Sequence, residues 1–126
     1  MRDFVRGGIE AFVPFFNDFV NKDGTLVIQE NGNLPLTVDT GFSGGIALPE
    51  EILGEMNIEL IDFGIFRLAT GDEVELAVFW GKVLIRDFEI ETWFIPGDSL
   101  LGMEFLSLAG SVLRFDFERE EVRLME

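Results

Sequence analysis

Residues 38–45, VDTGFSGG, place an ionisable Asp39 directly after an alternating apolar run. In that run, LPLTV, the residues Leu34, Leu36 and Val38 fall on one face, as in a half-buried β-strand. Three glycines follow the carboxylate within six residues, so the backbone there has room for a close approach. The stretch predicts a strand that ends in a carboxylate and enters a tight loop, a pattern that an Asx turn alone would also give.

Composition limits the chemistry that this loop can perform. The chain has 126 residues and contains no cysteine, no histidine and no tyrosine. These absences exclude disulfides, thiolate nucleophiles and Ser-His-Asp triads. Proton transfer in any enzymatic reaction therefore falls to Asp, Glu, Lys or water. The length is that of one domain, and we expect residues 1–126 to form a single unit.

The charge balance restricts the partners. The formal net charge is −15, from 24 acidic and 9 basic residues. Such a chain repels nucleic-acid phosphates and anionic membrane surfaces, so we expect neither partner. No apolar run approaches the ~20 residues that span a bilayer, and the N-terminus lacks the pattern of a signal peptide. We therefore expect a cytoplasmic protein, for which a neutral or basic unfolded peptide is a suitable partner.

Most of the remaining sequence alternates with a period of two. Examples are VELAVF (74–79), FEIETWFI (88–95) and residues 113–117. The turn sequence NGN at 31–33 predicts a hairpin that joins TLVIQE (25–30) to LPLTVDT (34–40). Pro14 favours an edge position or a bulge for the N-terminal strand. Many short strands of this kind predict a mostly-β barrel or sandwich.

Helix signals are short. Pro49 precedes Glu50 and Glu51, which places proline in a first turn and two carboxylates at the positive end of the helix dipole. Residues 103–108 form a second apolar helix candidate, which Gly110 ends. We therefore expect one or two short helices beside the strands.

Nine of the 14 phenylalanines fall into two groups. One group lies on period-two faces and is predicted to be core: Phe15, Phe88, Phe94, Phe115 and Phe117. The other group crowds the N-terminal stretch: Phe4, Phe12, Phe16 and Phe19. Burial against a neighbouring subunit and ordinary core packing both explain the second group.

A second motif, LLGMEFL at residues 100–106, follows the Asp39 loop after about sixty residues. In this order and at this distance, VDTGFSG and LLGMEFL resemble the retropepsin-like aspartic proteases, in particular the small single-domain members found in prokaryotes. The resemblance covers about Leu34 to Leu108. It implies a single-lobe closed β-barrel with one or two short helices.

The resemblance also assigns expected roles around the loop. Asp39 matches the catalytic aspartate, and Thr40 matches the threonine whose hydroxyl reaches the partner's loop. Gly41 matches the glycine whose backbone lies close to the carboxylate. Ser43 matches a residue that hydrogen-bonds the outer carboxylate oxygen, and Phe42 stands at the variable position.

The apolar-apolar-Gly motif has a scaffold role in that family. By this match Leu100, Leu101 and Gly102 form the strand that passes close behind the DTG loop, in a psi-shaped crossing. The glycine permits the close passage because it has no Cβ. No cofactor and no metal ligand are expected.

A single DTG implies that a complete active site needs two chains. In a twofold homodimer Asp39 lies opposite its own symmetry mate, and the two carboxylates share one proton. The expected activity is that of an aspartic endopeptidase, which cleaves extended peptides or unfolded protein. The alternative is a non-catalytic dimeric module for peptide binding or assembly. An acidic metal-binding β-domain ranks lower, because the acids are scattered along strand faces.

The family covers its cleft with a β-hairpin, the flap. The best match here is Leu60 to Thr70, with Asp62, Phe63 and Gly64 at the tip, and with residues 69–73 as the following turn. Gly64 would supply the flexibility that a lid needs. An ordinary hairpin explains the same residues equally well.

Overall fold

A computed structural model describes residues 2–126. This part of the chain forms eleven strands and two short helices. In chain order they are β1 (Asp3–Glu10), β2 (Val13–Val20), β3 (Leu26–Ile28), β4 (Leu34–Val38), β5 (Ile46–Leu48), α1 (Glu50–Leu53), β6 (Glu59–Arg67), β7 (Glu73–Ile85), β8 (Phe88–Pro96), β9 (Leu100–Leu101), α2 (Met103–Ala109), β10 (Val112–Asp116) and β11 (Glu121–Met125).

Seven strands close into a barrel. Their order is β2-β3-β7-β8-β5-β9-β4, and pairing between β4 and β2 completes the ring. The sheet is mixed, because β3 and β7, β5 and β8, and β4 and β9 pair in parallel. The structure confirms the predicted fold class: mostly β, with a closed barrel, additional strands and two short helices. Closure leaves the seven strands of the ring without an unpaired edge.

Strand β2 joins the barrel to the additional strands. Its residues 15–18 pair with β4, 18–20 with β3 and 13–15 with β1. From β1 the sheet continues through β11 to β10. The sheet therefore branches at β2, and the chain ends form a terminal sheet beside the barrel.

The predicted hairpin between β3 and β4 is wrong. Both strands pair with β2 instead of with each other. The connecting loop hydrogen-bonds back to β2, where the Asn33 amide donates to the Asp18 carbonyl at 3.0 Å. The NGN sequence therefore carries the chain past β2 and does not reverse it onto β3.

Large apolar side chains fill the barrel and the space under α2. Phe16, Phe94 and Phe105 are fully buried. Several aliphatic side chains share this interior: Leu26, Ile28, Leu36, Ile46, Leu48, Ile85 and Leu101. Both helices form where the sequence predicts them, α1 directly after Pro49 and α2 up to Gly110. None of the helices within residues 2–126 is long and apolar enough to cross a membrane.

The period-two rule overestimates the burial of several phenylalanines. Phe94 is buried, but Phe88, Phe115 and Phe117 are exposed to 42%, 38% and 55%. The last two belong to the β10–β11 hairpin, and β10 pairs only with β11 at the end of the terminal sheet. These two rings therefore lie at the outer margin of the terminal sheet, whereas Val122, which pairs with Phe115, is buried.

The N-terminal phenylalanines have mixed environments. Phe4 and Phe16 are buried, and Phe19 is half-buried. Phe12 is 85% exposed at the β1–β2 turn, where Ala11 and Phe12 adopt φ angles of 50° and 68°. Core packing therefore explains part of this group and leaves Phe12 on the surface.

Asp18 is a buried acid in β2. It is 1% exposed, and its Oδ1 has no hydrogen-bond partner among the described residues. Burial raises the pKa of Asp18 from 3.8 to about 7. The native protein therefore keeps a proton that the unfolded chain loses between about pH 4 and pH 7. Over this range the contribution of Asp18 to stability falls as the pH rises, and it is constant above pH 7.

We expect Asp18→Asn to remove this pH-dependent loss. The quantity to compare is the free energy of unfolding of the variant minus that of wild type, at two pH values. This difference should be up to about 4 kcal/mol larger at about pH 8 than at pH 4, because the pKa shift is roughly 3 units. The burial cost of the amide is the same at both pH values, so it cancels. Urea denaturation followed by circular dichroism measures the difference.

The control for this experiment is Asp87→Asn, which removes an exposed carboxylate from the β7–β8 turn. It should change stability by about the same small amount at both pH values. A gain from Asp18→Asn that is identical at pH 4 and pH 8 would contradict the assignment.

Candidate functional site

The Asp39 loop begins where β4 ends. The Asp39 amide donates to the Leu101 carbonyl of β9 at 3.0 Å. The Oδ1 atom of Asp39 accepts a hydrogen bond from the Gly41 amide at 3.0 Å. The backbone carbonyl of Asp39 accepts another from the Phe42 amide at 3.1 Å. These bonds form a tight Asx-type turn that fixes the carboxylate relative to the backbone. The Asp39 side chain stays half-buried.

Strand β9 lies between the two strands that flank this loop. Leu100 and Leu101 pair in parallel with residues 37–38 of β4. On the other side they pair antiparallel with Ala47 and Ile46 of β5. The chain that follows Asp39 therefore returns on the far side of β9, in a psi-shaped crossing.

Two glycines allow the crossing. The Gly102 amide donates to the Gly45 carbonyl at 2.7 Å. A Cβ on Gly102 would lie 2.1 Å from the Gly44 carbonyl oxygen, and a Cβ on Gly44 would lie 2.1 Å from the Trp93 ring. Neither position has space for a larger residue. Backbone contact thus requires glycine at position 102, and the Trp93 ring requires it at position 44.

Helix α2 attaches directly to the loop. The Met103 amide donates to the Phe42 carbonyl at 2.8 Å, and the Glu104 amide donates to the Gly44 carbonyl at 3.1 Å. Amides of a first helical turn have no partners within their own helix. The carbonyls of the loop satisfy two of them here, so the helix and the loop hold each other in place.

Trp93 packs behind the loop, although no sequence motif indicates it. Its indole Nε1 donates to Glu104 Oε2 at 3.0 Å. Its ring stands edge-on to Phe42, with 6.0 Å between centroids, and contacts Phe66 of β6 at 5.9 Å. A tryptophan in an alternating strand belongs to no motif, and only its contacts across the fold show that it supports the loop.

The β6–β7 hairpin extends beyond the barrel beside this site. Residues 73–78 of β7 pair only with β6 among the described strands. The turn lies at Leu68 to Asp72, where the Leu68 amide donates to the Asp72 carbonyl at 2.8 Å and Gly71 adopts a φ of 91°. Through Phe66 and Trp93 the hairpin is linked to the Asp39 loop.

The predicted position of the hairpin tip is wrong. Asp62, Phe63 and Gly64 lie within β6, opposite residues 76–78 of β7. A register shift between Leu60 and Asp62 leaves the strand continuous, so no turn forms there. The chain reverses instead at Gly71, because its positive φ suits glycine.

Three other residues of the loop face solvent. Thr40, Gly41 and Ser43 are exposed, and Phe42 is half-buried against Trp93. Within residues 2–126 no group of three or more Asp or Glu side chains is arranged to hold a metal ion. One chain thus presents the Asp39 carboxylate on a loop of which Thr40, Gly41 and Ser43 are exposed.

No family model, curated protein or solved structure matches this chain. The molecule is a small mostly-β protein with a closed seven-stranded mixed barrel. Its function is therefore inferred from the geometry around Asp39 and from the sequence motifs.

The crossing predicts a large effect of Gly102→Ala. The new Cβ would overlap the Gly44 carbonyl, so the backbones must separate, and we expect a loss of about 3 kcal/mol in the free energy of unfolding. Gly97→Ala is the matched control, because its Cβ would meet only the Ala47 side chain at 3.6 Å. We expect the control to change stability by less than about 0.5 kcal/mol. Equal losses in chemical denaturation would show that the crossing is not constrained as described.

Proposed function

We propose that the protein is an aspartic endopeptidase that acts as a homodimer. The observation that supports this proposal is the passage of β9 between β4 and β5, directly behind Asp39. Gly102 packs against Gly44 at the same point. This arrangement agrees with the role that the resemblance gives to the LLG motif.

The proposed chemistry needs two carboxylates. Two aspartates a few ångströms apart cannot both ionise at low cost, so they share one proton and titrate as a pair. The ionised member takes a proton from water, which attacks the peptide carbonyl carbon. The protonated member donates to the carbonyl oxygen, and the resulting tetrahedral intermediate collapses as the amine leaves with a proton. The bond from the Gly41 amide would orient each Asp39 carboxylate for this reaction.

Self-association is supported by exposed apolar surface on the terminal sheet. Phe12 and Phe117 lie 6.5 Å apart between ring centroids, and Phe115 lies 6.2 Å from Phe117. The two hairpins that carry these rings come from opposite ends of the chain. Clustered exposed aromatic side chains are typical of protein interfaces. In the proposed dimer a second copy covers them, and the exposed Asp39 loops meet.

The β6–β7 hairpin is the proposed substrate clamp. Its exposed apolar side chains are Leu60, Ile61, Phe63, Ile65 and Leu68. An extended peptide would lie in the cleft as an added strand, held by main-chain hydrogen bonds. The net charge of −15 favours neutral or basic peptides as substrates.

Asp39→Asn tests the catalytic assignment. Cleavage of an unfolded reporter protein, measured from mildly acidic to neutral pH, should fall at least about 100-fold, because the amide can act neither as base nor as acid. Asp23→Asn, which changes an exposed turn far from the loop in sequence, should retain activity. Circular dichroism should show that both variants are folded. Undiminished cleavage by Asp39→Asn would exclude Asp39 as the catalytic group.

A mixing experiment tests the dimer. Wild-type protein that exchanges subunits with excess Asp39→Asn should lose activity, because a mixed dimer holds only one aspartate. Specific activity should also fall on dilution as the dimer dissociates. Full activity after mixing, from a species that light scattering identifies as a monomer, would contradict a shared site.

The exposed hairpin also supports the second candidate, a dimeric module that binds peptides without cleaving them. The apolar side chains of β6 would serve both functions, because strand addition does not require Asp39. Fluorescence anisotropy with a labelled peptide distinguishes the two. Peptide binding by wild type and Asp39→Asn alike, without cleavage by either, would favour the second candidate.

A further inference from the structure

Asp18 occupies an inward-facing position of the barrel. Residues two apart in a strand share a face, so Asp18 lies on the same side of β2 as the fully buried Phe16. Phe16 pairs with the buried Leu36 of β4, and Asp18 pairs with Leu34 at the beginning of that strand. The carboxyl group is therefore at one end of the apolar interior, where its Oδ1 has no partner among the described residues.

A cavity of about 490 Å³ opens at this end of the barrel, and Asp18 lines it. Its apolar wall includes Leu34, Leu48, Ile52 and Leu100. The volume lies within the range of small-molecule sites, roughly 300–1,000 Å³. Leu34 begins β4, whereas Asp39 follows the last residue of the same strand. Asp18 thus lies beside the opposite end of β4 from Asp39, although the cavity extends along this strand as far as Thr37.

The charges around the cavity have one sign. Glu51 and Asp98 line it together with Asp18, and no lysine or arginine is among the described lining residues. A buried carboxylate without a partner is costly, because it loses hydration without gaining a compensating interaction. A water molecule would supply a hydrogen bond but no positive charge. A cation would supply the opposite charge that the Asp18 carboxylate lacks.

We propose that this cavity binds a small organic cation, a primary ammonium group on an aliphatic stem. The ammonium would donate to the unpartnered Asp18 carboxylate, and the stem would contact the leucine and isoleucine side chains of the wall. Charge-assisted hydrogen bonds of this kind are stronger than neutral ones. Glu51 and Asp98, both exposed, would attract the cation at the entrance. This site does not depend on the proposed peptidase function.

Thermal unfolding at about pH 8 tests the site, because Asp18 is ionised above its raised pKa. The probes are n-butylammonium chloride, tetramethylammonium chloride and 1-butanol, at equal concentration and with sodium chloride added to equal ionic strength. We expect n-butylammonium to raise the melting temperature more than either other probe, because it alone combines charge, N–H donors and an apolar stem. An equal effect of 1-butanol or tetramethylammonium would overturn the proposal.

Three variants localise the effect. Asp18→Asn should bind n-butylammonium at least about tenfold more weakly, because the ionic partner is lost. Glu118→Gln, which removes an exposed carboxylate from the β10–β11 turn, should retain binding and so control for general charge effects. Asp39→Asn should also retain it, because Asp39 is not among the described residues that line the cavity. Unchanged affinity in Asp18→Asn would overturn the proposal.

Methyl NMR spectra provide a second readout that does not depend on stability. Addition of n-butylammonium should shift the signals of Leu34, Ile52 and Leu100 in wild type, and these shifts should be absent in Asp18→Asn. Shifts that are absent from all three residues in wild type, or that persist in the variant, would place the cation elsewhere and reject the site.

Discussion

The backbone contact between Gly44 and Gly102 is the constraint on which the site depends. It lets β9 lie between β4 and β5, so that the Asp39 amide reaches the Leu101 carbonyl. It also brings the first amides of α2 onto the carbonyls of the Asp39 loop. A side chain at Gly102 would separate these groups, because its Cβ would overlap the backbone of Gly44 and Gly45, and a side chain at Gly44 would displace the Trp93 ring. The half-buried Asp39 carboxylate is therefore held by the barrel wall and the helix, although it lies on a loop.

Local patterns in the sequence predicted the parts of the fold that depend on local chemistry. Alternation indicated strands, Pro49 marked the start of α1, and Gly110 marked the end of α2. Strand partners were less predictable, because β2 pairs with three other strands and separates β3 from β4. The position of the hairpin turn at Gly71 was also not predictable, because a two-residue period does not show how far a strand extends. The same period does not show which layer covers a strand, so it did not predict the exposure of Phe117.

The same distinction between local sequence patterns and contacts across the fold applies to the residues of the candidate site. Asp39 and Gly102 belong to recognisable motifs, so the sequence identified both and predicted that they lie close together. Trp93 has no motif and acts through contacts with Phe42, Phe66 and Glu104, three residues that are remote in sequence. Asp18 did leave a signal, because it alternates with Phe16 on the apolar face of β2. A carboxylate on such a face is costly without a partner, and its position marks the cavity that Asp18 lines.

The carboxylates of Asp39 and Asp18 thus have different environments. Asp39 is half-buried and accepts a hydrogen bond from a backbone amide, which suits a group that must meet a second carboxylate from another chain.

The proposed dimer, however, brings together two chains that each carry a charge of −15. Coulomb repulsion opposes this association, so burial of exposed rings such as Phe12 and Phe117 must supply most of the driving force. Salt screens the repulsion and leaves the apolar contacts intact, so association should strengthen as ionic strength rises, which is the opposite of an interface formed by ion pairs.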